Sequence, residues 1–316
     1  MCGTIAPGYV WEQEHVSDEK VPSLERPRAP ALVKMAMFYS PGTHGIRVRK
    51  MKVAVIGGGK IGEAVASRLV SSDAVDFVTI TRRTVGKAQL RGKKVKVTDD
   101  NESAAAASDV IILSVKPGDA HTVFRQIAHG VEGKLVISLM AALTTGSIEK
   151  ALPRARVVRA MPNIAALIGE AITAYCEGTG VTHHDLVTAE TILSTFGETI
   201  HVTEKMMDAV TALSGSGPAY IALLIEAMVS AGLKVGLPRD TAFKLATKTL
   251  TGTAGLLRDR MMHPAELRDT VTTPAGTTIA GIYELEKGSV RTAMMNAVEA
   301  ATLAARRISK EFEGME

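Results

Sequence analysis

Two stretches of this 316-residue chain combine residue types and spacings that can do chemistry. One is Gly57-Gly58-Gly59-Lys60-Ile61-Gly62, a G-x-G-x-x-G sequence. The other is Val271-Thr272-Thr273-Pro274-Ala275-Gly276-Thr277-Thr278, a run of hydroxyls broken by Pro and Gly. In the first, Gly57 allows a tight turn, Gly59 lets a diphosphate approach the backbone, and Gly62 permits close contact of helix with strand. The diphosphate would rest on the helix N-terminus. In the second, small donors gather where a helix begins, and a helix N-terminus attracts anions. That run reads either as a carboxylate pocket or as an ordinary cap and turn.

Positioning these groups requires specific elements. A β-rich run at 52–56 precedes the glycines and a helical stretch at 63–70 follows, the strand-turn-helix setting that a dinucleotide needs. The next strand, 77–80, leads into Thr81-Arg82-Arg83-Thr84. An NAD enzyme places an acid there for the ribose hydroxyls, and none is present. Two arginines and a threonine suit a 2′-phosphate instead, so NADPH is expected to be preferred and NADH possible.

Further strands at 95–97, 109–115, 135–138, 157–159 and 171–175 are nearly continuous in apolar character, as in a mainly parallel sheet buried on both faces. The strand at 109–115 ends in Val115-Lys116-Pro117, and that at 157–159 runs into Met161-Pro162-Asn163. Ligands of open α/β sheets collect at such carboxyl ends, although a Pro-Asn turn needs no ligand to explain it. Beyond about Thr211 strand signals stop, and helices are expected over 221–235, 240–257, 264–269, 278–285 and 290–308. Their many Ala, Leu and Met faces exceed what one small bundle buries, so an intertwined homo-oligomer is expected. The fold class is α/β. A Rossmann-type, doubly wound, mainly parallel sheet at 51–210 precedes an all-helical C-terminal domain at 211–316 that dimerises and binds substrate, with a cleft between the two.

Residues 1–50 carry Pro7, Pro22, Pro27, Pro30 and Pro41 with no sustained period, and read as a mostly disordered extension that fits neither a secretory nor an organelle signal. Met51, immediately before the first strong strand, is an alternative natural start. Net charge is +4 with a pI near 9.0, but acids and bases are interleaved, without the basic block that tracks a nucleic-acid backbone. Cys2 and Cys176 lie far apart, so neither a disulfide framework nor a metal site is expected, and a reducing, cytoplasmic setting fits. No apolar run approaches the ~20 residues of a membrane span, so no membrane partner is expected. His183-His184 read as a solvated loop pair, Cys176 as a small packing residue, and Glu204 with Asp208 as a solvated or helix-terminal face.

Several of these stretches together resemble pyrroline-5-carboxylate reductase. They are residues 57–62, Val115-Lys116-Pro117, Arg159-Ala160-Met161-Pro162-Asn163, residues 213–220, and above all His263-Pro264-Ala265-Glu266-Leu267-Arg268-Asp269 running into 271–278. The similarity covers residues 51–316. It implies reduction of 1-pyrroline-5-carboxylate to L-proline with NAD(P)H, and a homodimer with interlocked helical domains, often assembled into larger rings. Carried over by position, it implies that Thr273, with Gly276 and Thr277 through backbone amides, holds the substrate carboxylate, while Thr278 hydrogen-bonds the imine nitrogen as the catalytic residue. Gly57, Gly59, Lys60, Ile61, Gly62, Arg82, Arg83 and Thr84 would bind the cofactor. Val115, Lys116 and Pro117 would wall its nicotinamide, with Met161, Pro162 and Asn163 nearby. An iminium ion is already electrophilic, so positioning and electrostatics suffice without a strong base, nucleophile or metal.

Three positions depart from the family's usual pattern. Arg82 stands where an Asn is common, and Leu143 and Ala275 replace frequent glycines. Leu143 is expected to narrow the floor of the cofactor site, and Ala275 to cost little if its φ is negative. Two further readings share the plan: a 3-hydroxyacid dehydrogenase, against which Tyr220 stands where G-x-G-x-x-K requires a Lys, and a dinucleotide-binding sensor or scaffold without turnover. A reductase of a related cyclic imine would look nearly the same.

Overall fold

The computed structural model describes residues 51–87, 90 and 92–313; the extension expected over 1–50, and Cys2 within it, lie outside the described residues. The chain runs β1 (Met51–Ile56), α1 (Lys60–Ser71), β2 (Val75–Thr81), β3 (Val95–Thr98), α2 (Asn101–Ala106), β4 (Val110–Leu113), α3 (Ala120–Ile127), β5 (Leu135–Ser138), α4 (Thr145–Ala151) and β6 (Arg156–Met161). It continues with β7 (Ala171–Glu177), α5 (His183–Leu193), β8 (Gly197–His201) and the short α6 (Met207–Val210). The strands form one 8-stranded sheet in the order β3-β2-β1-β4-β5-β6-β7-β8. Neighbours pair in parallel except β6 with β7, which are antiparallel.

Burial on both faces explains why these strands read as unbroken apolar runs rather than alternating ones. Val53 and Val55 of β1 point into one core layer, with Val65 and Leu69 of α1 and Ile192 and Leu193 of α5. Ala54 and Ile56 point into the other, with Ala105 of α2, Phe124 of α3 and Ile148 of α4. Strand β8 was not anticipated: of its five residues none is buried, so an edge strand leaves no apolar pattern to read. Leu143 belongs to the second core layer at 2% exposure and does not floor the cofactor site, contrary to expectation. The His183-His184 pair is not in a loop either. It forms the first turn of α5, after a capping box between Thr182 and Asp185.

The expected helices appear as α7 (Gly217–Lys234), α8 (Arg239–Arg260), α9 (Pro264–Thr270), α10 (Thr277–Lys287) and α11 (Val290–Glu313). A π-turn, Thr211–Gly215, feeds α7. Helices α7 and α8 pack closely because Gly232 has no side chain; a Cβ there would lie 2.8 Å from that of Ala242. The other faces stay open. Leu223, Phe243, Tyr283 and Met295 are each more than half exposed. The helical run Glu204–Lys234 holds an 18-residue window of mean hydropathy 1.4 and is long and apolar enough to cross a membrane by length and composition, so the expectation that no apolar run approaches a span's length does not hold. Its Ser, Gly and Pro break the sequence pattern without interrupting the helical run as a whole.

Candidate active site

Sequence and strand order together fix where a ligand can sit. The order reverses between β1 and β4, and a crevice at the carboxyl ends of such strands is the usual ligand site of an open α/β sheet. A pocket of about 870 Å³ lies there, lined by Gly57, Gly58 and Gly59 from the turn after β1, by Thr81 at the end of β2 and Arg82 to Thr84 after it, and by Ser114, Val115 and Lys116 after β4. The remaining wall includes Asp99, Asn101, Asp119 and Gln126.

Each glycine of the turn has a distinct physical reason. Gly57 has φ +109°, and a Cβ on it would lie 2.7 Å from the Ser114 carbonyl oxygen. A Cβ on Gly62 would come within 1.9 Å of the Gly57 carbonyl oxygen, so helix and turn touch only because it is absent. Around Gly59 there is open space. The turn is held from β2, whose Thr81 carbonyl accepts from the amides of Gly57 at 3.2 Å and Gly58 at 2.6 Å. Gly59 occupies the N-cap of α1 and has no side chain with which to cap it, which leaves first-turn amides for an anion. Lys60 and Ile61 make up that first turn but do not line the pocket.

The two arginines after β2 differ. Arg82 lays its stem along Gly58, where a Cβ would meet its own Cβ at 3.0 Å, and its Nη1 pairs with the Glu63 carboxylate on α1. Its Nε is buried with no protein partner. Arg83 is 82% exposed and pairs with Asp119 at 2.5 Å. An orphaned guanidinium N–H, an open glycine and uncapped helix amides fit a phosphate-bearing dinucleotide.

Other predicted residues sit elsewhere. Pro117 opens the 3-10 turn Pro117–Asp119 and does not line the pocket. Met161 packs against Ala174, Cys176, Val202 and Met207, and its Cε faces Gly215 of the π-turn. Asn163 caps the 3-10 turn Ile164–Ile168, its Oδ1 accepting from the Ala165 amide at 3.1 Å. The pocket residues missed by sequence reasoning include Ser114, Asp99, Asn101, Asp119, Thr122, Val123 and Gln126. Only Ser114, adjoining Val115 at the carboxyl end of β4, carried a usable signal.

The hydroxyl loop joins α9 to α10, whose N-cap is Gly276. Pro264 follows the α9 N-cap His263, whose Nδ1 accepts from the Ala265 amide at 3.2 Å. Thr272 Oγ1 donates to the Arg268 carbonyl at 2.6 Å, which ties off the end of α9. The Gly276 amide donates to the Thr273 carbonyl at 3.1 Å and so is not free for a carboxylate as expected, which leaves the amides of Thr277, Thr278 and Ile279 at this helix start. A Cβ on Gly276 would lie 2.3 Å from Thr273 Oγ1, so glycine is what lets that hydroxyl sit against the turn. Ala275 has φ +57°, not the negative value that would make it costless. Thr273, Gly276, Thr277 and Thr278 do not line the pocket after β1 within one chain.

Glu204 and Asp208 are not a solvated face. They flank Arg159 of β6, 2% exposed, whose Nη1 bonds Glu204 and whose Nη2 lies 3.8 Å from Asp208. Glu204 Oε2 also accepts from the Thr145 amide at 3.3 Å and the Cys176 thiol at 3.4 Å. Burial pushes the Glu204 carboxyl upward, but the bonds from Arg159 and Thr145 outweigh it and hold the group below its ordinary value. Burial and the adjoining Glu204 carboxylate push the Cys176 thiol up to about 12, which keeps it protonated and inert as the packing residue expected. Among the described residues no group of three or more His, Cys, Asp or Glu is placed to hold a metal ion.

Comparison with known proteins shows the family. Residues 204–308 match the family described as pyrroline-5-carboxylate reductase dimerisation, and residues 52–142 that described as NADP oxidoreductase, coenzyme F420-dependent. The chain is 39% identical over 265 residues to a pyrroline-5-carboxylate reductase of Synechocystis, covering 83% of this chain and 99% of that protein. It is 37% identical to that of Arabidopsis thaliana over 84% of this chain and 98% of that one. The solved structure of Plasmodium falciparum pyrroline carboxylate reductase, which has NADP bound, superposes with a TM-score of 0.76 at 30% identity, over 82% of this chain and 98% of that one. The chain belongs to the pyrroline-5-carboxylate reductase family.

Proposed function

We propose that the protein reduces the C=N bond of 1-pyrroline-5-carboxylate to give L-proline, with NADPH preferred and NADH accepted. The observation that supports this is a glycine-turn pocket beside strands β1 and β4 together with a separate helix start, N-cap Gly276 without a side-chain cap, which we read as an anion site of hydroxyls and helix amides at 273–278. In the bound state the reduced nicotinamide supplies the hydride. Everything else falls to the chain. Thr277 and Thr278 offer backbone amides to the carboxylate at the start of α10, with Thr273 Oγ1 beside them, and Gly276 sets the turn. Thr278 Oγ1 accepts from the N–H of the iminium form and fixes which face of the imine carbon is presented. Val115 and Lys116 bound the nicotinamide end of the pocket, with Pro117, Met161 and Asn163 supporting the carboxyl ends of β4 and β6.

The division we propose is a cofactor domain at 51–210 and a substrate and dimerisation domain at 211–316. Assembly of two copies through the helical domain, and of such dimers into a ring, would cover the exposed faces of α7 to α11 and bring a hydroxyl loop to a cofactor pocket that it does not line within one chain. On this reading the apolar run Glu204–Lys234 serves a helix partner rather than lipid, and the protein works in the cytoplasm. The test is direct: purified protein is mixed with NADPH and 1-pyrroline-5-carboxylate, and cofactor absorbance and proline are followed together. Loss of absorbance with matching proline is the expected result, and no proline with either cofactor rejects the proposal.

A further inference from the structure

The two walls of the cofactor pocket are joined by one ion pair. Strands β2 and β4 flank β1 on opposite sides, so the contact of Arg83 after β2 with Asp119 after β4 bridges the glycine turn between them. Three observations set Asp119 apart. It ends the 3-10 turn Pro117–Asp119 in helical backbone geometry directly before α3, so its side chain is not aimed at that helix's amides and goes to Arg83 at 2.5 Å. The pair is largely exposed, so it contributes little to stability. And Asp119 lines the same pocket as the arginine it holds.

The neighbouring Arg82 cannot substitute for Arg83 freely. It is 18% exposed, its stem lies along Gly58, and its Nη1 is committed to Glu63. Recognition of a 2′-phosphate therefore falls mainly to Arg83, with Thr84 beside it. We propose that Asp119 is a cofactor-specificity residue: its carboxylate competes with the 2′-phosphate of the dinucleotide for Arg83 and repels that phosphate, whereas a free 2′-hydroxyl makes no such demand. Asp119 thus narrows the preference for NADPH and keeps NADH usable. This rests on the reading of the pocket as the NAD(P)H site.

The test uses full-length protein carrying Asp119→Asn, Asp119→Glu or Arg83→Ala, with dissociation constants for NADP⁺ and NAD⁺ from calorimetry and kcat/KM for NADPH and NADH. Asp119→Asn is expected to raise the ratio of NADP⁺ to NAD⁺ affinity roughly five- to tenfold, the scale of removing one like charge from a solvated phosphate site. Asp119→Glu keeps the charge and should stay near wild type, while Arg83→Ala should lower the ratio. An Asp119→Asn ratio that is unchanged or lower, in a wild type that binds both dinucleotides, overturns the role of Asp119 alone. A wild type that binds neither overturns the cofactor site, and this inference with it.

Discussion

Arg159 on β6 and Glu204, 45 residues further along the chain, form a charge-assisted bond at the seam between the sheet and the helices that follow it. The same carboxylate accepts from the first amide of α4 and from the Cys176 thiol of β7. One side chain therefore fastens α4, β6 and β7 to the start of the helical half.

Replacing Glu204 with Gln should strip a buried arginine of its main counter-charge and cost about 2–4 kcal/mol, with Asp208 compensating in part. The folded carboxyl is held below its ordinary 4.5. Its contribution is therefore fully present above that pH and is lost as pH falls through the lower folded value. Urea midpoints measured from neutral to acid pH should show the gap between wild type and Glu204→Gln widest near neutrality and closing in acid. A gap that does not depend on pH would contradict the assignment.

Glycines 59 and 62 should respond oppositely to alanine. Gly62→Ala drives a methyl into the Gly57 carbonyl and should destabilise the fold by roughly 2–3 kcal/mol while displacing α1 from the turn. Gly59→Ala has open space and should leave the melting temperature nearly unchanged, yet raise KM for NADPH by filling the approach of the diphosphate. Thermal melts with cofactor titrations separate the two.

Thr278→Ala should lower kcat about ten- to a hundredfold by removing the hydrogen-bond partner of the ring nitrogen, with NADPH affinity held within about twofold. Steady-state kinetics beside calorimetry read both. Full turnover in this variant would remove Thr278 from the mechanism.

Ala275→Gly should relieve a left-handed residue. The strain of about 1–2 kcal/mol at φ +57° is set against the extra unfolded-state entropy of glycine, leaving a net stabilisation of up to about 1 kcal/mol. Chemical denaturation of both proteins measures it, and a loss of stability would show that the turn depends on the alanine methyl.

Most of the sheet was legible because strands buried on both faces leave continuous apolar runs, and the helices because His263-Pro264 and Gly276 mark their starts. What escaped depended on partners distant in sequence or on backbone angles. Glu204 and Asp208 look like a solvated face until Arg159 is brought against them by the sheet. Strand β8 buries nothing, so only its pairing with β7 reveals it. The dihedral of Ala275 has no side-chain signature where glycine would have announced it. In the site, the glycine turn and the arginines after β2 were readable from one strand-turn-helix unit, whereas Asp99 and Asn101 after β3 and Asp119 and Gln126 after β4 come from two other crossovers and meet it only in three dimensions.

The sparse interior of the helices has a thermodynamic consequence. Helices α7 to α11 bury Val229, Ala242, Ala246, Ala305 and Ser309 as described, and leave Leu223, Phe243, Tyr283 and Met295 in water. If a second copy supplies the missing cover, folding and association are a single equilibrium, and the free energy of unfolding contains the logarithm of protein concentration. The unfolding midpoint should then climb with each tenfold increase in concentration, as it would not for a chain that completes its core alone.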